Sequence, residues 1–448
     1  MSLRQKPLFA PSMSVEIKLD QNHELLRLSD VVDWDRLILM AMTIRAGKVK
    51  KNSGPQPHYR EILGAVALMA VKRLTFRDAE DLIYHYAPAK YLCGLMDSDW
   101  RMDHVTIFEF TQMLGPEGME QINEAILATA LESGLVDPTE MMSDTTAQEA
   151  KIPYPNEVGL MARYGELIDK NLKKVGGKFG NLKSKMKAKL KKIKALLRNS
   201  HLFAKTKEEK RKVGKKMFHV VKSIHEEIQG LLSEGYQLSS KAGKEIMRLS
   251  EVMETLLPQI LHFLETGFVA SKKIIHLQMN ELYSIVRGKA GKRVEFGLKW
   301  GINRIKGGFL QGFLINGGEH RSDKRFCLDA IKIHETCFGA APKVFGFDRG
   351  GYSKANIKKI KKAGVKHVGI APTGKNPWPI AKTRAEHVKR ERAQVEGCIG
   401  TVKSLKYGFN KPDACSTAAM TTYGHRAIVG FNMTKLIKEL GKLNTLTV

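Results

Sequence analysis

Cysteine is scarce in this 448-residue chain, and so are long apolar runs. The five cysteines are scattered and none belongs to a C-x-x-C pair: Cys93, Cys327, Cys337, Cys398 and Cys415. This usage predicts reduced thiols and excludes a disulfide framework or a zinc site of paired cysteines. No apolar run is long enough to span a bilayer, and the N-terminus lacks the basic-then-apolar pattern of a signal peptide. We therefore expect a cytoplasmic protein without a membrane segment.

Negative charge is also in short supply. Aspartate and glutamate number 46 against 74 lysines and arginines, so the net charge is +28. Such an excess predicts a polyanionic partner, DNA or RNA, with an anionic membrane surface as the competing interpretation. The length allows two or three domains, and the hydrophobic fraction of 43% is ordinary for a globular protein.

The first 135 residues have the pattern of several short helices. Apolar residues recur at helical spacing over 59–70, Thr75 is a candidate N-cap followed by acidic residues, and another helix is expected from His104. Two interpretations remain open for this segment. It is either a helix-turn-helix DNA reader or a helical packing and dimerisation domain.

A lysine-rich helical segment follows over 163–284, with Pro258 as its only proline. One of its helices has an apolar stripe formed by Leu182, Met186, Leu190, Ile193 and Leu197, while lysines cover the rest of its surface. The one-signed charge favours contact with a DNA backbone over the alternative, a solvated charged face.

Strand and helix patterns alternate in the remainder of the chain. A first strand is expected around 140–145, and a hairpin is expected over 293–302 and 308–315. Two further strands, 343–347 and 365–370, then alternate with three helices, 322–337, 354–363 and 386–405. Without the lysine-rich insertion, this is the order of the ribonuclease H-like fold. The predicted architecture is α/β, with a mixed five-stranded sheet.

The expected domain organisation follows from these patterns. It comprises an all-helical N-terminal DNA-binding domain (1–135), a ribonuclease H-like catalytic domain in two pieces (136–162 and 285–410), the basic helical insertion between them (163–284) and a C-terminal helix (411–448).

Three carboxylates stand where this topology would bring them together. Asp144 and Asp348 follow strand-like sequence, and parallel strands deliver such residues to one edge of a sheet. Glu396 lies on the last long helix, where Arg392 and Lys403 project from nearly the same face. Hard oxygen ligands of this kind suit Mg²⁺ and phosphodiester chemistry. Taken singly, each aspartate is also explained as a cap or turn residue, and the helical row as a salt-bridge ladder.

Several segments resemble a known family, the DDE transposases of bacterial insertion sequences. The similar segments are 144–146 (Asp-Thr-Thr) with 152–155 (Ile-Pro-Tyr-Pro), 347–352 (Phe-Asp-Arg-Gly-Gly-Tyr), the R-x3-E-x6-K spacing of Arg392, Glu396 and Lys403, and N-terminal segments 54–57 and 74–78. Lys389 stands where the Y-R-E-K signature has its tyrosine. The resemblance extends over most of the chain.

The resemblance implies a role for each matching residue. Asp144, Asp348 and Glu396 would be catalytic ligands of Mg²⁺, for which Mn²⁺ can substitute. Arg392 and Lys403 would bind DNA phosphates, and Lys389 and Arg349 are further expected DNA contacts.

The activity implied is that of a transposase. It would bind the terminal inverted repeats of its element, cut double-stranded DNA and join the ends to target DNA, as a homodimer on the nucleoid. The alternatives are an inactive or domesticated DNA-binding derivative, a structure-specific nuclease on the same fold, and a purely structural basic helical protein.

Overall fold

The structure is a computed structural model that describes residues 18–48, 56–175, 178–234, 240–286, 294–315, 322–372, 374 and 376–446. These residues form a mixed α/β protein with fourteen α-helices and six β-strands. Two compact units are present, one within Met1–Glu140, Arg304–Gln311 and His425–Val448, the other within Met141–Asn303 and Gly312–Gly424. None of the described helices is long and apolar enough to cross a bilayer.

The first unit opens with six helices: α1 (Glu24–Val31), α2 (Trp34–Lys48), α3 (Tyr59–Lys72), α4 (Phe76–His85), α5 (Ala87–Leu92) and α6 (His104–Glu132). The helices expected from 59, 75 and 104 are confirmed. Thr75 and Asp78 form a reciprocal capping box at the start of α4, as the sequence predicted for Thr75. Helix α6 is kinked at Gly115, whose φ of 65° is left-handed.

Helix α3 is the central helix of this unit. It is buried over nearly its whole length and contacts α2, α4, α5 and α6. A helix that is apolar on all sides belongs in a core, so α3 organises the other helices around itself.

The sheet contains β1 (Asp137–Glu149), β2 (Tyr283–Val286), β3 (Val294–Lys306), β4 (Leu310–Leu314), β5 (Val344–Phe347) and β6 (His367–Ile370). Its order is β2-β3-β1-β5-β6, and β4 also pairs with β3. Strand β2 is antiparallel to β3, with Tyr283 opposite Gly297. Strand β5 is parallel to β6, with Val344 opposite His367. The sheet is therefore mixed, and β1 and β5 are neighbours in it.

Two expectations about the sheet were wrong. The sheet has six strands, because β2 adds one at the end of the helical insertion. In addition, β1 continues to Glu149, so Asp144 lies inside a strand. The extension is stabilised by Gln148, which is fully buried, accepts a hydrogen bond from Trp300 Nε1 at 2.9 Å and donates one to the Met420 carbonyl at 2.8 Å. A buried polar side chain with both partners satisfied interrupts the apolar pattern without ending the strand.

Helices accompany the later strands as the sequence predicted. They are α11 (Asp323–Phe338), α12 (Lys354–Lys362), α13 (Lys382–Lys403) and α14 (Thr417–Leu446), with a 3₁₀ turn at Arg349–Gly351. Helix α13 contacts β5 and β6. It thereby lies over the strand that ends just before Asp348.

The insertion is a four-helix bundle of α7 (Glu157–Leu172), α8 (Lys178–Leu202), α9 (Lys207–Ser233) and α10 (Lys241–Thr266). The predicted apolar stripe of α8 is confirmed, since Leu182, Met186, Leu190 and Ile193 are buried and Leu197 is partly buried. Side chains of all four helices share one apolar core. Helix α10 continues through Pro258.

Candidate active site

Asp144 lies in β1 and is partly buried. Its pKa is raised to about 6, chiefly by burial and further by the charges of Asp348 and Glu396. A hydrogen bond from the Thr145 N–H (2.7 Å) and the charge of Arg392 oppose this rise. The four groups therefore interact electrostatically, and the surroundings of Asp144 disfavour its ionised form.

Asp348 directly follows β5, as the sequence predicted. Its carboxylate accepts a hydrogen bond from the Gly350 N–H at 2.8 Å and caps the 3₁₀ turn. Burial raises the pKa of Asp348, and the charge of Asp323 raises it further, while backbone hydrogen bonds and Arg392 lower it. Asp348 thus closes a turn, which is the structural alternative to a ligand role, and it also faces other charged groups.

The glycines after Asp348 lie very close to neighbouring side chains. A Cβ at Gly350 would lie 2.5 Å from the Asp323 carboxylate, and one at Gly351 would lie 2.6 Å from the ring of Phe347. A side chain at either position would displace the Asp323 carboxylate or the Phe347 ring, both next to Asp348.

Asp323 is a charged neighbour of Asp348 that the sequence pattern did not predict. It is the first residue of α11 and accepts a hydrogen bond from Lys299 Nζ at 2.9 Å. An acidic residue after a serine N-cap is common at helix starts, so its position in the sequence gave no distinctive signal. Only the fold brings Asp323 beside Asp348.

Helix α13 carries Glu396 and Arg392 toward the two aspartates. Its buried Val388 and Val395 pack in one apolar cluster with Met142 of β1. The helix can approach because two strand positions lack side chains. A Cβ at Gly369 would lie 2.7 Å from Val388, and one at Gly346 would lie 3.0 Å from Val388 as well as 2.2 Å from the sulfur of Met142 in β1. Glycine in neighbouring β5 and β6 therefore sets the distance between the sheet and α13.

The remaining predicted residues are placed differently. Lys403 is largely buried and lies 3.9 Å from Glu295 on β3. Lys389 is exposed, with its ammonium 5.3 Å from the centre of the Trp378 ring. Arg349 is exposed in the turn after Asp348. The structure therefore brings Asp144, Asp348, Glu396 and Arg392 into one electrostatic group, whereas Lys403 interacts with a separate carboxylate.

The carboxylates fit a divalent cation by chemistry. Carboxylate oxygens are preferred ligands of Mg²⁺, and a bound cation would relieve the burial and mutual repulsion of Asp144 and Asp348. Over the described part of the chain, however, no three His, Cys, Asp or Glu side chains are close enough to hold a metal ion as they stand. Asp144 and Asp348 thus provide suitable donors, and a third ligand would have to move closer.

The fold and this group of side chains define a class: a mixed α/β protein with an arginine-flanked acidic cluster in a strongly basic chain. The N-terminal part, residues 13–113, matches a family model described as a transposase domain (DUF772). The match covers less than half of the chain and supports a transposase family, which implies DNA as the partner. No curated protein matches the chain, and no solved structure matches it.

Proposed function

We propose that the protein is a transposase that binds the terminal inverted repeats of an insertion sequence, cuts the DNA and transfers the cut strand to target DNA. The transposase-domain match supports the family, and the electrostatic grouping of Asp144 with Asp348, Arg392 and Glu396 carries the assignment of the site. The strand order β4-β3-β1-β5-β6 supports a ribonuclease H-like catalytic fold, with β2 as an addition.

Asp144 and Asp348 would hold Mg²⁺, or Mn²⁺ in its place, and Glu396 would complete the ligand set. When bound, such a metal supplies activation of the attacking water or 3′-hydroxyl and stabilisation of the leaving oxygen. The protein positions the carboxylates through the β1–β5 pairing and through the close approach of α13 to the sheet. Glu396 is exposed on α13, which leaves its side chain free to turn toward the aspartates.

Arg392 has two roles in this proposal. Its charge already lowers the pKa of both aspartates, and a guanidinium beside a cluster of carboxylates can also bind a DNA phosphate in bidentate fashion. Lys389 and Arg349 are exposed and would contact the DNA backbone. To bind a phosphate, the Lys403 ammonium would have to move away from the Glu295 carboxylate.

The N-terminal helices would recognise the element ends, and two protomers would pair two ends as a homodimer on the nucleoid. Helix α4 begins with a capping box and carries Arg77 near its start, which suits a helix presented to DNA.

Cleavage of a supercoiled plasmid carrying the element ends tests the proposal. With Mg²⁺ or Mn²⁺ the wild type should nick at the ends and transfer strands, while Asp348→Asn and Glu396→Gln should lower the rate at least about 100-fold, since the metal contributes several kcal/mol. Glu386→Gln removes an exposed carboxylate from the same helix and is the matched control. All variants should still shift DNA on a gel. Nicking without strand transfer would indicate a structure-specific nuclease instead.

A second candidate, a DNA-binding protein without catalysis, is favoured by one observation. Within the described residues, no ready-made group of three metal ligands exists. Equal DNA binding with no cleavage by wild type or variants would establish this alternative.

A further inference from the structure

A large concave surface lies within the α7–α10 bundle. Its volume is about 950 Å³. It is lined by residues of the α7 start (156–158), the end of α8 and the connection after it (200, 201, 204 and 205), the first turns of α9 (207, 208, 210 and 211) and the end of α10 (263, 264, 266 and 267). We call it the insertion cleft. A cavity of this size can accept a nucleotide-sized ligand.

The charge of the insertion cleft is positive. Lys205, Lys207, Lys210 and Arg211 line it, and within the described residues none of them forms an ion pair. Of the two lining acids, Glu157 is buried in an ion pair with Lys273, which leaves Glu208. Four cations therefore face one uncompensated carboxylate.

Some cations elsewhere on the bundle are neutralised by a neighbouring carboxylate. Lys189 pairs with Glu227, Lys222 with Glu226 and Arg248 with Glu245. The cleft differs from these paired sites because its lining brings four cations together with one exposed carboxylate, an arrangement that suits an anionic ligand.

Arg211 lies against the C-terminal end of α10. Its guanidinium lies so close to Gly267 that a Cβ there would be 1.8 Å from Nη2. Gly267 ends α10 in a left-handed conformation with φ of 81°. The cation at this C-terminus is stabilised by the helix dipole, whereas the three lysines are exposed and available to a ligand.

Two exposed aromatic residues adjoin the lining. Phe203 precedes Ala204 and is 68% exposed, and Phe268 follows Gly267 and is 75% exposed. Neither belongs to the bundle core. Aromatic rings beside cations are the combination by which proteins bind unpaired nucleic acid, because bases stack on the rings while cations follow the phosphates.

We propose that the insertion cleft binds unpaired DNA, with Lys205, Lys207 and Lys210 on phosphates and Phe203 and Phe268 against bases. Unpaired rather than duplex DNA fits, because stacking requires base faces that a duplex conceals. The inference rests on the proposed function only in taking DNA as the partner.

Binding of the full-length protein to a labelled single-stranded oligonucleotide, measured by fluorescence anisotropy in EDTA, tests this inference. Lys205→Ala/Lys207→Ala/Lys210→Ala should weaken binding at least about 10-fold and reduce the slope of log K against log salt by about 2, as expected for three lost phosphate contacts. Lys187→Ala/Lys191→Ala/Lys194→Ala removes equal charge from exposed positions of α8 and should change affinity less than about 3-fold. Equal effects of both triple variants would overturn the proposal.

A second pair of substitutions separates stacking from charge. Phe203→Ser/Phe268→Ser should lower affinity for the single strand about 10-fold and leave the duplex of the same sequence nearly unchanged. If this variant instead disrupts a dimer in sedimentation while keeping its single-strand affinity, the surface is a contact between protomers and the proposal fails. Because these assays need no cleavage, they remain informative if the plasmid shows no nicking. Conversely, if the cleft variants bind the single strand as the wild type does and nicking is intact, the cleft proposal is rejected while the proposed function is retained.

Discussion

At the residue scale, the acidic cluster of Asp144, Asp348 and Glu396 holds carboxylates in surroundings that disfavour the ionised form of the two aspartates. Burial is the largest cause of the raised pKa of both Asp144 and Asp348, and neighbouring carboxylates add to it. Arg392 and backbone N–H groups compensate only in part. The folded protein therefore carries an electrostatic cost at this site, as is common where side chains are arranged to bind a ligand.

Asp144→Asn should stabilise the protein in the absence of divalent metal. The amide keeps an oxygen that can accept the Thr145 N–H bond but removes a partly buried charge that repels Asp348 and Glu396. We expect a gain of about 1–2 kcal/mol, visible as a higher melting temperature in EDTA. Glu386→Gln, the same change of charge at an exposed position of α13, should leave the melting temperature unaltered. A destabilised Asp144→Asn variant would show that the carboxylate is a structural group.

Glu120, which lies outside the candidate site, should make the stability of the protein depend on pH. It lies on α6 between Glu117 and Glu124, and burial together with these two charges raises its pKa to about 7. A carboxyl group with a raised folded pKa binds its proton more tightly when folded. Stability should therefore fall as pH rises from about 4.5 to about 7 and stay lower above that.

Glu120→Gln should remove this cost. After allowance for the partial exposure of the side chain, we expect a gain on the order of 1 kcal/mol at pH 8 and none at pH 4. Urea unfolding at both pH values measures the difference. Glu132→Gln, at an exposed position of the same helix, is the control. A gain of equal size at both pH values would contradict the electrostatic explanation.

At the element scale, glycines in β5 and β6 determine where α13 lies. A methyl group at Gly369 would collide with Val388, and α13 carries both Arg392 and Glu396. Gly369→Ala should therefore cost about 1–3 kcal/mol through overpacking and lower plasmid nicking while DNA binding persists.

A double-mutant cycle tests the cause. Val388→Ala removes the methyl groups that would clash, so Gly369→Ala/Val388→Ala should recover part of the lost nicking relative to Gly369→Ala alone. Additive losses in the double variant would show that Gly369 matters for a reason other than helix approach.

Elements that depend on local interactions could be predicted from the sequence, whereas those that depend on long-range packing could not. Helices α3, α4, α8 and α11 follow local periodicity and caps, which are visible in a single chain. Strand β2 is four residues long and pairs across the sheet only after the fold forms, and β1 continues through buried polar Thr146 and Gln148. Likewise, the positions of Asp323 beside Asp348 and Lys403 beside Glu295 depend on long-range packing. The adjacency of β1, which contains Asp144, and β5, which precedes Asp348, was predictable because it needs only strand order.

At the scale of the whole molecule, the insertion has an apolar core of its own. Its core cluster is drawn from residues between Leu160 and Leu277, on all four helices and the segment after α10. The buried ion pair of Glu157 with Lys273 and the hydrogen bond from Arg248 to the Leu277 carbonyl join that last segment to the bundle. A core drawn from one continuous stretch of chain is what a segment able to fold alone requires.

We therefore predict that residues 155–280 fold when produced alone. The fragment should show a helical circular dichroism spectrum and a single cooperative thermal transition. Leu256→Ala, at a fully buried position of α10, should lower its stability by about 2–5 kcal/mol, because the residual cavity adds to the lost burial. Leu261→Ala, on the same helix but 38% exposed, should cost much less. A fragment that is helical but melts without cooperativity, with equal responses to both substitutions, would mean that the bundle acquires its fixed packing only within the complete chain.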